Sequence, residues 1–274
     1  MQVRYGILIS VIVCGLFVRP PCSSAATLTG SGCSVSTVGY LNDLSKEYEK
    51  ETGVRMHIIG GGSLSGLTAL GTQKVDFAAS CLGPSPGNAR GYRYVRVAWD
   101  ALVFIVHKSN PVNNITPEKV ADIYSGAITN WKQLGGKNAQ IKSFISVAGS
   151  MGGIGESLSK MVLKGREVTP ERNSSIQASS VAIWEQLVEK TPEGFASTGF
   201  SSAKKRNVKM LKVNGVSPTK QNIMTDKYPL RRPLYIVVPK NPQPEVKKFV
   251  EYVLGRKGQS LIKSYGMVSL SEAR

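Results

Sequence analysis

The chain has 274 residues, of which 41% are hydrophobic and 19% charged, a length sufficient for two domains of ordinary size. The formal net charge is +17, but the basic residues are dispersed apart from the short clusters 204–206 and 231–232. This pattern indicates a solvated surface that attracts anionic ligands, an envelope surface or an acidic partner, and it argues against a nucleic-acid groove.

The first 26 residues are predicted to be a secretory signal peptide. They combine an early Arg4, a short apolar run over 7–18 and the small residues Ser24, Ala25 and Ala26, which is the layout of a cleavable export signal. No later segment approaches the roughly 18 apolar residues that a membrane-spanning helix needs. We therefore expect a soluble, exported mature chain of 248 residues with a formal charge of +15.

Two of the four cysteines remain after the predicted cleavage. Cys14 and Cys22 lie in the signal segment, and their flanking residues do not favour a lipid anchor. Cys33 and Cys81 stay in the mature chain, where an oxidising compartment is compatible with one structural disulfide.

The first predicted elements alternate strands, glycine-rich turns and helices. A helix over 41–51 ends at Gly53, a strand covers 54–59, a second helix covers 63–72 and a strand covers 75–80. This order is typical of parallel α/β folds, in which ligands bind at the carboxyl ends of the strands. Three loops, at 30–34, 60–66 and 80–84, are therefore predicted to meet at one cleft. The stretch GSGCSVSTVGY is interpreted as a Gly/Ser-rich loop that opens a helix, where backbone N–H groups attract an oxyanion.

The middle and end of the chain continue the α/β pattern. An apolar strand over 101–106 is long enough to cross between two lobes, and Thr116 with Pro117 predicts the start of a helix. A strand over 141–147 runs into a second Gly/Ser loop and a helix. Another apolar strand over 232–238 precedes two C-terminal helices.

Several longer stretches resemble the phosphate-type periplasmic solute-binding proteins, the receptors of ABC importers. They are GSGCS, KVDFAAS, NPVNNITPEKVADIYSGAITNWKQLGG, VLKGREVTPE and the segment from MLKVNGVSPTKQN to SYGMVSL. The resemblance implies an α/β fold of the two-lobed type II architecture, each lobe a mixed sheet flanked by helices, with two crossing strands as the hinge. It places lobe one at 27–104 with 234–274, and lobe two at 105–233.

The same resemblance implies which residues bind the ligand. The positions that match the binding loops of the family are Gly30, Ser31, Gly32 and Ser34, then Gly61, Gly62 and Ser63, then Ser80, and in lobe two Gly149 and Ser150.

The sequence differs from the family pattern in the side chains of its binding loops. Cys33 and Cys81 replace hydroxyl residues, Leu82 stands where an arginine usually follows, and the lobe-two loop has Met151 but neither the arginine nor the threonine. Bidentate arginines compensate the burial of a doubly charged oxyanion, so their loss disfavours such a ligand. Sulfur donors instead select soft centres. The residues therefore favour arsenite, as neutral As(OH)3, or another thiophilic species held by cysteine, with Met151 as a further donor.

Three functional hypotheses follow. The leading one is an exported solute-binding protein that closes around such a thiophilic ligand and reports to a membrane sensor kinase or transporter. The alternative is a phosphate or oxyanion receptor that feeds an ABC permease. A second alternative is an envelope redox or interaction protein in which Cys33 and Cys81 form a switchable disulfide. Whether this pair is thiols or a disulfide stays open.

Other function classes have little support from the sequence. No nucleophile, base and orienting acid occur at recognisable spacing, so we expect no enzyme and no cofactor. His57 and His107 have no cysteine or carboxylate at ligand spacing, so no metal site is expected.

Overall fold

The computed structural model describes residues 26–85, 91–146, 153–168, 176–178 and 181–273. The strands in these residues are β1 (Thr27–Cys33), β2 (Arg55–Gly61), β3 (Phe77–Ser80), β4 (Tyr92–His107), β5 (Asn114–Ile115), β6 (Lys142–Ser146), β7 (Ile176–Ala178), β8 (Gly194–Gly199), β9 (Val208–Met210), β10 (Lys212–Val213), β11 (Arg231–Pro239) and β12 (Val268–Ser269). Ten of them form the main sheet in the path β2-β1-β3-β11-β4-β8-β6-β7, with β9 and β12 added on β4, and β5 and β10 form a separate two-stranded sheet.

Helices alternate with the strands along the chain. Helix α1 spans 34–52 as three successive segments, Ser34–Ser36, the π-helical Thr37–Leu41 and Asn42–Thr52. The others are α2 (Ser63–Gly71), α3 (Pro117–Ser125), α4 (Gly153–Leu158, continued by the π-helical Ser159–Leu163), α5 (Val181–Lys190), α6 (Phe200–Ala203), α7 (Lys220–Met224), α8 (Pro244–Leu254) and α9 (Arg256–Ser264), with a short 3-10 turn at Trp131–Leu134. None of the helices in the described ranges is long and apolar enough to cross a bilayer.

The first half of the sheet, formed by β2, β1, β3, β11 and the start of β4, begins with the predicted parallel unit. Strand β1 is parallel to both β2 and β3. The predicted loop at 30–34 differs, because β1 continues to Cys33 and the helix begins at Ser34. Gly30 and Gly32 allow this close pairing, since a Cβ on Gly30 would overlap the Phe77 ring and one on Gly32 the backbone of Ala79.

Strand β4 joins the two halves of the sheet. It has 16 residues, so it is longer than the predicted crossing strand at 101–106. It pairs with β11 as far as Ala101 and with β8 from Leu102 onward. Residues 100–106 are all buried, so the junction between the halves lies in the hydrophobic core.

The second half of the sheet, formed by the end of β4 with β8, β6 and β7, is flanked by α3, α4 and α5. Helix α3 begins as predicted, because the Thr116 hydroxyl accepts a hydrogen bond from the Lys119 N–H at 3.3 Å. It ends at Gly126 in the left-handed conformation. The rings of Tyr124 and Trp131 pack on Phe195 of β8 and fill the core of this half.

The last two helices return to the first half of the sheet. Phe249 of α8 contacts the ring of Tyr48 in α1 and the ring of Phe77 in β3. Both helices occur where the sequence predicts them. The lobe boundaries after 104 and 233 stay a prediction.

Candidate functional site

Three segments meet at the carboxyl edge of the first half of the sheet. Strands β1, β2 and β3 are in parallel register and end at Cys33, Gly61 and Ser80. Cys33 is the register partner of Gly61, and Gly32 is the partner of Ala79. The topology thus brings together the three segments that the sequence places at one cleft.

A disulfide joins the first of these segments to the third. Cys33 and Cys81 are bonded, with their Cα atoms 6.1 Å apart, and their exposed fractions are 0% and 4%. The expectation that the two cysteines bind a ligand as thiols is therefore wrong for this structure. A bonded sulfur pair has no thiolate to offer to arsenic or to a soft metal ion.

The second segment is tied to the same disulfide. The backbone N–H of Cys81 donates to the Ser63 hydroxyl at 3.1 Å, and Ser63 is fully buried. Cys33, Cys81 and Ser63 thereby hold the ends of all three strands in one arrangement.

Helix α2 starts in the middle of this arrangement. Gly62 precedes it in an extended conformation, and the Ser65 hydroxyl accepts the Gly62 N–H at 2.8 Å and donates to the Gly62 carbonyl at 3.0 Å. We call residues 62–65 the α2 turn. The first N–H groups of a helix have no intrahelical acceptor, and the helix dipole adds partial positive charge there. The α2 turn therefore has the geometry of an anion site.

A carboxylate from the second half of the sheet lies at this turn. The N–H of Leu64 donates to Oε1 of Glu156 at 3.1 Å, across 92 positions in the chain. Glu156 belongs to α4 and is 7% exposed. Burial raises the pKa of Glu156, while the Leu64 N–H and the hydroxyl and N–H of Ser63 oppose that shift.

The sequence does not point to Glu156 as a residue of the candidate site. It stands in AGSMGGIGESLSK, and the only local signal is an acid in the first turn of a helix behind a Gly/Ser loop. Acidic residues are common in the first turn of a helix because they interact favourably with the helix dipole. The local sequence therefore does not distinguish Glu156 from an acid that only stabilises its helix.

The other predicted hydroxyls stabilise the loops. The Ser34 hydroxyl donates to the Gly61 carbonyl at 2.9 Å and so ties β2 to the start of α1. The Ser80 hydroxyl accepts the Leu82 N–H at 3.0 Å and donates to the Leu82 carbonyl at 2.9 Å. Ser31 is buried in β1. Gly149, Ser150 and Met151 lie outside the described residues, so their predicted roles stay predictions.

A buried ion pair contacts Ser157, the residue that follows Glu156 in α4. Arg232 donates from Nη2 to Oδ2 of Asp100 at 3.1 Å and from Nη1 to the Ser157 hydroxyl at 2.8 Å. The other oxygen of Asp100 accepts the Ser201 N–H at 3.0 Å. The sequence interpretation of Arg232 as part of a solvated basic cluster is wrong, because its side chain is only 2% exposed. In the described ranges, no three His, Cys, Asp or Glu side chains are grouped as metal ligands would be.

The family model of the PBP superfamily domain matches residues 21–257. The chain belongs to the PBP superfamily. Solved structures agree with this assignment and confirm the two-lobed α/β fold. A putative phosphate ABC transporter substrate-binding protein from Clostridium perfringens, solved with bound phosphate, superposes with a TM-score of 0.79 at 25% identity, over 89% of this chain and 99% of that chain.

Further relatives of this PBP-superfamily chain are also named for phosphate. An ABC-type phosphate transport receptor from Vibrio cholerae superposes with a TM-score of 0.73 at 26% identity, over 89% of this chain and 100% of that one. The phosphate-binding protein PstS of Borreliella burgdorferi is 31% identical over 188 residues, which are 66% of this chain and 67% of the relative. PstS of Pseudomonas aeruginosa is 30% identical over 64% of this chain and 59% of the relative. These relatives are solute-binding proteins.

Proposed function

We propose that this protein is an exported receptor that binds phosphate or a similar oxyanion and delivers it to an ABC permease. The observation that carries the proposal is the α2 turn. It lies at the carboxyl edge of three strands and donates a backbone N–H to a carboxylate oxygen. A site that binds the oxygen of one anion from a helix N-terminus is suited to the oxygens of another.

The donors of this site are neutral. Backbone N–H groups and hydroxyls bind an anion without a guanidinium when a helix dipole is aligned with them, and each bond to a charged group contributes about 1.5–3 kcal/mol. The missing arginines therefore change how an oxyanion is bound and do not exclude one. Closure of the two lobes over the ligand would be a ligand-linked shift between open and closed populations.

The similar proteins support the oxyanion alternative over the arsenite hypothesis. The relatives described above are named for phosphate, and the disulfide uses both of the sulfur atoms that arsenite would need. Both the sensor-kinase partner and the arsenite ligand are thus without support. The switchable-disulfide alternative has no favouring observation either, since the disulfide is buried.

Titration calorimetry on the purified protein tests the proposal. We expect saturable binding of phosphate and no heat from arsenite. Ser63→Ala removes a hydroxyl that we expect to donate to the phosphate. It should weaken phosphate binding by about tenfold, since one hydrogen bond to an anion contributes more than about 1.4 kcal/mol. The matched control is Thr68→Ala on the exposed side of the same helix, which should bind like the wild type. Tight arsenite binding, or no response to millimolar phosphate, contradicts the proposed function.

A further inference from the structure

Glu156 connects the two halves of the sheet through the proposed ligand site. Its helix, α4, follows β6 of the second half, whereas Leu64 and Ser63 lie in the α2 turn of the first half. The 3.1 Å bond from Leu64 to Oε1 is therefore a contact across the cleft. An open arrangement of the halves would break this contact.

The carboxylate is only partly satisfied in this position. Oε2 is buried and has no hydrogen-bond partner among the residues that the structure describes. A buried carboxylate oxygen without a donor costs free energy relative to water. The side chain thus occupies the α2 turn without using all of its own hydrogen-bonding capacity.

The occupied position is the one that an external oxyanion needs. A carboxylate oxygen and a phosphate oxygen both accept from a helix N–H at about 2.7–2.9 Å, so they compete for the same donor. Both cannot lie at the Leu64 N–H in full contact, because two like charges at hydrogen-bond distance repel strongly in a buried site.

We propose that Glu156 is an internal competitor that occupies the oxyanion subsite of the α2 turn in the ligand-free protein, so that a ligand binds only by displacing its carboxylate. This proposal rests on the proposed function. The apparent dissociation constant is then the intrinsic one divided by the fraction of molecules in which the turn is vacated. Glu156 therefore raises the ligand concentration at which the receptor responds. It raises the dissociation constant by the same factor for every oxyanion that binds at the α2 turn.

Two variants and one control test the proposal by calorimetry with inorganic phosphate and with arsenate. Glu156→Gln keeps the shape and removes the charge, and Glu156→Ala removes the competing group. Glu167→Gln is the control, because it removes one negative charge from an exposed residue near α4. We expect both Glu156 variants to bind phosphate about 5- to 100-fold more tightly than the wild type. The gain in affinity should be equal for arsenate, and Glu167→Gln should bind both anions as the wild type does.

The outcomes separate this proposal from the proposed function. Phosphate binding that is present in the wild type and unchanged or weaker in both Glu156 variants overturns the competitor role and leaves the receptor function standing. An equal gain in Glu167→Gln also overturns it, because the effect is then one of overall charge. Binding by the Glu156 variants alone supports the competitor role but contradicts the proposed function, because the wild-type protein then does not respond to phosphate. No phosphate binding by any of the four proteins overturns both.

Discussion

Cys33 and Cys81 cross-link two of the three strand ends at the candidate site. Each lies next to a serine whose hydroxyl bonds a backbone carbonyl: Ser34 donates to Gly61 of the second segment, and Ser80 donates to Leu82 of its own segment. The disulfide closes a chain segment with a sequence separation of 48. A cross-link of this length restricts the unfolded chain and by the entropy model stabilises the fold by about 4 kcal/mol. In this structure the disulfide holds the ends of β1 and β3 together.

Replacing both cysteines should therefore reduce stability. We expect the pair Cys33→Ala and Cys81→Ala to lower the free energy of unfolding by about 2–4 kcal/mol, measured by urea denaturation. Alanine avoids placing a new hydroxyl in a buried position. Reductant should destabilise the wild type and leave the double variant unchanged. Equal stability of the two proteins would show that the disulfide contributes nothing.

At the scale of elements, the short strand β12 and the residues after it are held by one carboxylate. Glu272 accepts the N–H and the hydroxyl of Ser269 at 3.1 and 2.9 Å, and it pairs with Lys220 at 3.1 Å and Lys263 at 3.3 Å. Burial alone would raise the pKa of Glu272, but these bonds outweigh it and lower the pKa to about 2. This carboxylate therefore joins β12, α7 and α9 while it is charged.

The stabilisation by Glu272 should depend on pH. Because its folded pKa is depressed, the contribution is complete above the usual value of 4.5 and is lost as the pH falls through about 2. Glu272→Gln should lower the free energy of unfolding by about 1–2 kcal/mol at pH 7, and the difference from wild type should vanish near pH 2. Glu251→Gln is the control, since that carboxylate is 63% exposed and 4.0 Å from its lysine. A difference that is constant over this pH range would contradict the assignment.

At the scale of the whole molecule, the pair Asp100–Arg232 lies where the two halves of the sheet join. Asp100 is in β4 just before its change of partner, and Arg232 is in β11. Through Ser157 and Ser201 the pair also contacts α4 and α6. One buried ion pair thus links the sheet junction to the helix that carries Glu156.

Removing one partner of this ion pair should destabilise the fold. Asp100→Asn or Arg232→Met alone leaves a buried charge without its partner, and each should lower the free energy of unfolding by about 3–5 kcal/mol. The double variant should lose less than the sum of the two, because no charge is then left unpaired. Asp226→Asn is the control, as that partner of Arg231 is 74% exposed. Additive losses in urea denaturation would exclude coupling between Asp100 and Arg232.

Local signals in the sequence were sufficient for most elements. Thr116 and Pro117 predicted the start of α3, and Gly53, in the left-handed conformation, ends α1. The cap and the stop each act over a few residues, so they can be recognised without knowing the fold. The order of strands, glycine turns and helices likewise determined the parallel unit that places three strand ends at one edge.

The tertiary structure alone decided what those strand ends contain. It paired Cys33 with Cys81, buried Arg232 beside Asp100, and brought Glu156 to the N–H of Leu64. These contacts join residues separated by 48, 132 and 92 positions. No local pattern encodes them, because each depends on how distant elements pack around the same core. The sequence by itself determined an α/β chain of the PBP superfamily in which three strand ends lie at one edge, and packing decided which side chains lie there.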